Sequence, residues 1–343
     1  MAPPADGTST GPCAPDISSA PSPTADERRL AMLRIPHKLK IAGALALLYF
    51  SWGSSYIANH FAIEDMPPFM MTGARMLIAS ALMWGLSVLQ RDRSRPAFAD
   101  LWRHFVAAGP LIVFGSGLLA KSQETVSSST AAIVLGTTPA WLLLGGWLAR
   151  RLPRPSVWQA SGLLLGFLGL AIIARQTRAG TAGGYPLGLW YLLACTAIWV
   201  VGTLYYHAFP NPLSTVRSTG LLFFFGGGQM LVLGLLIGEG ARIDLAGVGP
   251  AAWMGFAGLV LGASLGGFTS YFWLLRHSTP AIAISYEYVV PVIGLLLGWS
   301  LADEPLTAPI LVACALTVLG AFFIMKPAKP DGHSPVADAT PPP

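Results

Sequence analysis

At 343 residues the chain is 53% hydrophobic and only 11% charged, with a net charge of +5. Soluble domains average roughly 25% charged residues, so this composition cannot cover a water-facing surface and leaves no room for a soluble catalytic domain. The basic excess lies in loops between apolar runs, where membrane-orientation signals belong, which argues against a nucleic-acid partner.

In chain order, residues 1–38 are rich in Pro, Ala and Ser and lack the continuous apolar stretch of a signal peptide. They read as a disordered cytoplasmic tail. Ten apolar runs follow, at 41–60, 68–89, 104–120, 127–149, 156–174, 187–207, 217–238, 250–275, 280–301 and 306–325. Most are near the roughly 20 residues that a helix needs to cross a bilayer. Short connections make neighbouring helices antiparallel. Residues 327–343 form a second disordered tail. Of three cysteines, Cys13 lies in the first tail and Cys195 and Cys314 in apolar runs. They form no disulfide framework and no metal-ligand spacing, and no cofactor is expected.

With the N-terminus in the cytoplasm, the cytoplasmic segments carry sixteen Lys and Arg residues and the opposite side four: Lys121, Arg175, Arg178 and Arg242. The expected fold is therefore an all-α membrane protein with both termini cytoplasmic.

An internal repeat divides it. A shift of 152 positions lays the fourth run on the ninth, matching Pro139 to Pro291, Gly146 to Gly298, Trp147 to Trp299 and Pro153 to Pro305. A shift of 147 lays Trp52 on Trp199 and Gly73 on Gly220. The two units are 39–176 and 185–326. Five spans per unit reverse the second one, which predicts ten transmembrane helices as two inverted five-helix repeats. That is a transporter architecture, with the substrate site near the bilayer midplane.

These residues carry a resemblance. Trp52 to Tyr56 (WGSSY), followed by Pro67 to Arg75 (PPFMMTGAR), resembles the opening of the EamA-domain family of the drug/metabolite transporter superfamily. Ser285 to Leu306 (SYEYVVPVIGLLLGWSLADEPL) resembles its ninth helix, which ends in an acidic residue. The resemblance covers about residues 41–325 and points to permeases of bacterial inner membranes. It implies an exporter of small metabolites, amino acids or drugs, with a central cavity lined mainly by helices 1, 3, 4, 6, 8 and 9. The family often places an acid after helix 4 as well. Here Arg151 and Leu152 stand at those positions, and Glu287 is an acid that the family pattern does not lead one to expect.

Charges within the hydrocarbon are costly and usually face a cavity or a partner. Two qualify. Arg75 lies about eight residues from the outer end of helix 2, roughly 12 Å deep, and Glu287 about seven residues from the inner end of helix 9, roughly 10 Å deep. Glu287 suits a proton-coupling or cation-binding carboxylate, against a capped structural carboxyl. Arg75 suits helix packing, against a partner for a substrate carboxylate. Pro139 and Pro291 each remove a helical hydrogen bond and read as paired hinges or as static kinks. Trp52, Tyr56 and Trp199 could stack on a substrate or fill the core. Ser55, Thr138, Tyr271 and Ser285 supply polar groups, and 3–4 spacing puts Glu287, Tyr288 and Pro291 on one face.

Other classes fit less well. Gly262 to Gly266 reads GASLG, the pattern of a serine-hydrolase elbow, but it falls inside an apolar helix with no triad partner in reach. A channel would need a charged ring or polar filter, and there is none in sequence. No phosphate-binding GxxxxGK[ST] loop exists, so a substrate gradient or coupled protons must supply the energy. The expected partners are a small-molecule substrate and the lipid bilayer, with the protein a monomer or homodimer.

Overall fold

The computed structural model describes residues 36–179, 187–206, 208, 211–278 and 280–326. The predicted tails, apart from residues 36–38, lie outside the described residues, as do Cys13, His207 and part of the loop that holds Arg178. The chain divides into two units, Met1–Lys40 and Ile41–Pro343.

The described residues are helical, with no strand. Eight helices are long and apolar enough to cross a membrane, and two more apolar helices are shorter. We label them α1 (His37–Asp65), α2 (Pro68–Leu89), α3 (Phe98–Ser122), α4 (Ser128–Leu148), α5 (Val157–Ala179), α6 (Leu187–Tyr206), α7 (Thr215–Leu236), α8 (Pro250–His277), α9 (Tyr286–Ala302) and α10 (Ala308–Ile324). Phe50, Leu164, Val232 and Leu296 are exposed, as lipid-facing side chains must be, while polar Ser51, Ser80, Thr196 and Thr317 are buried.

Several of the expected continuous helices are interrupted, for identifiable reasons. In α4 the turn at Gly136–Thr137 separates Ser128–Leu135 from Thr138–Leu148. Pro139 has no N–H to offer the Leu135 carbonyl four residues back, and the Thr138 hydroxyl donates to that carbonyl instead. Before α9, the predicted run 280–301 breaks at Ile284–Ser285, between a single turn at Pro280–Ala283 and the helix that restarts at Tyr286. The Ser285 hydroxyl donates to the Ile282 carbonyl at 2.6 Å. Pro291 lies inside the restarted helix, away from this break.

α3 and α8 each contain a π-helical stretch, Gly109–Ser116 and Leu259–Gly267, starting 150 positions apart. Such wide turns are rare and concentrate at functional sites. Packing follows the same numbering. α2 runs along α7, α5 along α10, and the first part of α4 against α9. Other contacts come in matching pairs: α1 on α8 beside α6 on α3, and α1 on α9 beside α6 on α4. The α5–α10 crossing needs glycine. A Cβ on Gly162 would lie 2.6 Å from the Gly320 carbonyl oxygen.

Candidate functional site

Two connected chambers lie inside the bundle. The larger has a volume of about 440 Å³, and its lining runs from the aromatic centre to Arg151, Leu152 and Met325 at one end. The smaller, about 150 Å³, lies among Ser55, Tyr56, Asn59, Arg75, Ser116 and Thr196. Trp52, Thr138, Trp199, Phe268, Tyr286 and Glu287 line both and form the junction. The π-helical stretches supply Leu111, Ile112, Gly115 and Ser116 from α3 and Leu259 and Ala263 from α8.

Trp52 organises the junction. Its ring meets Tyr286 edge-on at 4.5 Å, Phe268 edge-on at 5.4 Å and Tyr271 at 5.3 Å. Its indole N–H donates to the Ala263 carbonyl at 3.3 Å, fixing the ring between α1 and α8. The result is an aromatic box with one buried acid, Glu287, the only carboxylate among the described lining residues.

Hydrogen bonds tie helices together at the far end of the bundle. Glu304, after α9, accepts the Ser128 N–H and hydroxyl at 2.7 Å each, and the Ser129 N–H at 2.9 Å together with its hydroxyl. It thereby caps the otherwise unpaired amides of the first turn of α4. The Asn59 amide donates to Gln123 at 2.5 Å, and Gln123 donates to the Tyr56 carbonyl at 3.0 Å, joining α1 to the end of α3. Glu239 accepts the Phe69 and Met70 N–H groups at the start of α2. At the opposite end Asp92, 147 positions earlier, accepts from Ser214, the N-cap of α7.

The predicted site residues separate cleanly. Trp52, Thr138, Trp199 and Glu287 sit at the junction. Ser55, Tyr56 and Arg75 line the smaller chamber, and Tyr271 and Pro139 the larger. Ser285 is outside the lining and bonds Tyr49 at 2.5 Å. Tyr288 also lies outside, its ring 6.2 Å from Phe322 of α10. The expected shared face of Glu287, Tyr288 and Pro291 is thus divided. Tyr286, Glu287 and Val290 face the chambers, while Pro291 packs on Gly136, whose added Cβ would meet the proline ring at 2.6 Å. Asn59, Ser116, Thr196 and Phe268 were not singled out from sequence, because nothing local distinguishes them from the polar and aromatic residues that hold other helices together. Among the described residues, no group of three or more His, Cys, Asp or Glu could hold a metal ion.

Comparison with known proteins adds the family. A match to the EamA-like transporter family covers residues 39–175 and again 186–326. The chain belongs to the EamA-like transporter family. A relative in Escherichia coli K12, named uncharacterized inner membrane transporter YedA, is 28% identical over 316 residues, covering 90% of this chain and 99% of that protein. The uncharacterized transporter YoaV of Bacillus subtilis is 21% identical, over 79% of this chain and 92% of its own. A crystal structure of another protein superimposes with a TM-score of 0.58 at 18% identity, over 84% of this chain and 96% of the other, a likeness of fold. The two family matches flank the chambers: α1 to α5 fall within the first, apart from a few terminal residues, and α6 to α10 within the second.

Proposed function

We propose that this EamA-family member is a secondary transporter of the bacterial inner membrane that exports small metabolites, amino acids or drug-like molecules by alternating access. In this reading the units 39–176 and 185–326 are inverted five-helix repeats and both termini are cytoplasmic. The larger chamber then opens to the cytoplasm and the Glu304 end faces outward. The observation that carries the proposal is the chamber between the two matched halves, whose lining among the described residues reaches Arg151, Leu152 and Met325 at one end of the bundle. The matched helix contacts and paired π-helical stretches support the repeat. The aromatic box suits substrates with an apolar or aromatic body. Trp52, Thr138, Trp199 and Tyr271 contact that body, and Glu287 takes protons or a cationic group. Pro139 and Pro291 sit where α4 and α9 flex.

Reconstitution into proteoliposomes tests this. Saturable flux that follows a substrate or proton gradient is the expected result. Unsaturable, ohmic current would replace the carrier with a channel-like facilitator.

A further inference from the structure

Arg75 is a buried charge that lines the smaller chamber, and it is only 8% exposed. Among the described residues it makes no hydrogen bond and no ion pair, and its Nε is buried without a partner. A buried arginine that serves packing binds backbone carbonyls or a carboxylate, because a bare guanidinium in a low-dielectric interior is strongly unfavourable. Arg75 does neither. It lines the smaller chamber instead, beside the polar side chains of Ser55, Asn59, Ser116 and Thr196. Glu287 lines the same chamber, yet no ion pair joins the two.

The scaffold holds Arg75 firmly. α2 is capped at its start by Glu239 and lies along α7. At the 147-residue shift the counterpart of Arg75 is Leu222, which lines the larger chamber. Equivalent positions thus face the cavity from both halves, one cationic and one apolar. A packing device common to both halves would not differ in this way.

We infer that the smaller chamber is an anion subsite in which the Arg75 guanidinium binds the carboxylate of a small-molecule ligand, while the ligand's body occupies the aromatic junction and the larger chamber. The planar guanidinium matches a carboxylate in a two-pronged hydrogen-bonded pair, and the second N–H of the Asn59 amide and the Ser116 hydroxyl lie in the same pocket to take up remaining hydrogen bonds. The inference rests on the transporter reading and sharpens it: the substrates carry an anionic group.

The test uses the full chain purified in detergent and three probes of the same shape: 3-phenylpropionate, its neutral amide 3-phenylpropionamide, and the cation 3-phenylpropylamine. A ligand that binds the folded form raises its melting temperature. The carboxylate is expected to do so in a saturable way, binding about 10- to 100-fold tighter than the amide, as a charged hydrogen-bonded pair requires. Arg75→Gln should erase that preference and Arg75→Lys keep part of it. Glu287→Gln should tighten carboxylate binding by removing a neighbouring negative charge. If the Arg75 variants do not fold, the carboxylate-to-amide ratio in the native protein decides alone. Equal stabilisation by amide and carboxylate, or no response to the carboxylate at millimolar concentration, overturns the anion subsite. Saturable flux of neutral or cationic solutes in proteoliposomes would then leave the transporter reading standing without it.

Discussion

Glu304 and Ser128 are joined twice: one carboxylate oxygen accepts both the backbone N–H and the hydroxyl of the serine at 2.7 Å. At the 152-residue shift the counterpart of Glu304 is Leu152, which packs on Gly146 and lines the mouth of the larger chamber. The α4–α9 pair is thus capped by an acid at one end and lacks that cap at the other. α2 and α7, by contrast, are each tied at their start to an acid that follows the other: Glu239 accepts two N–H groups of α2, and Asp92 accepts the hydroxyl of Ser214, the N-cap of α7. In the proposed transporter, an opening at the Arg151 end is expected at the α4–α9 pair, which has no acid cap there.

Glu304→Ala is expected to cost roughly 1–2 kcal/mol, the scale of a lost N-cap, seen as a lower melting temperature. It should also raise thiol labelling, from the Glu304 side, of a single cysteine placed at Asn59. Unchanged labelling would reduce the contact to a local cap. Leu152→Glu supplies the missing acid and should lower labelling at Thr203, in the larger chamber, from the opposite side.

Among the described residues, Glu287 is the sole carboxylate in the chamber lining. Glu287→Gln should abolish flux driven by a proton gradient while leaving exchange of substrate across the membrane measurable, because the amide keeps the shape and loses the titration. Proton-driven flux that survives the change removes Glu287 as the coupling group.

Asp92 lies in the α2–α3 connection, outside the membrane spans. Its carboxyl is held down to about 2, first by the Ser214 hydroxyl, then by the Ser94 N–H, with Arg217 also favouring the charged form. A depressed carboxyl stabilises the fold above its unfolded value of roughly 3.9, and that contribution is lost as pH falls towards 2. Wild-type melting temperature should therefore fall more steeply than that of Asp92→Asn between about pH 4 and pH 2, and the variant should be the less stable at pH 7. Parallel curves would show that Asp92 contributes nothing.

Gly162 and Gly262 both open a Gly-x-x-x-Gly pattern, yet their surroundings differ. A Cβ at Gly162 meets the backbone of Gly320, and one at Gly262 meets nothing within 4 Å. Gly162→Ala should destabilise by roughly 1–3 kcal/mol, as overpacking does. Gly262→Ala should leave the melting temperature unchanged or raise it slightly, since alanine is the better helix former. Equal effects would mean that the α5–α10 crossing is looser than this packing.

The sequence by itself determined that the chain is helical, membrane-spanning and of this family. Those properties rest on local quantities, namely the length of apolar runs, the spacing of breakers, and motifs such as WGSSY. It also pointed to Trp52, Arg75, Thr138, Trp199 and Glu287, because charge and aromaticity inside an apolar run stand out in one dimension. Only the tertiary structure decided which way each side chain faces. The restart of α9 at Tyr286 turned Tyr286 and Glu287 inward and left Tyr288 against Phe322, a rotation set by a break that no single residue announces. It likewise gave Glu304 its partner: an acid that reads as a surface charge becomes the cap of a helix 175 residues earlier in the chain. Contacts of that range depend on how helices cross, and crossing is fixed by the sum of many close packings such as Gly162 on Gly320 and Gly136 on Pro291.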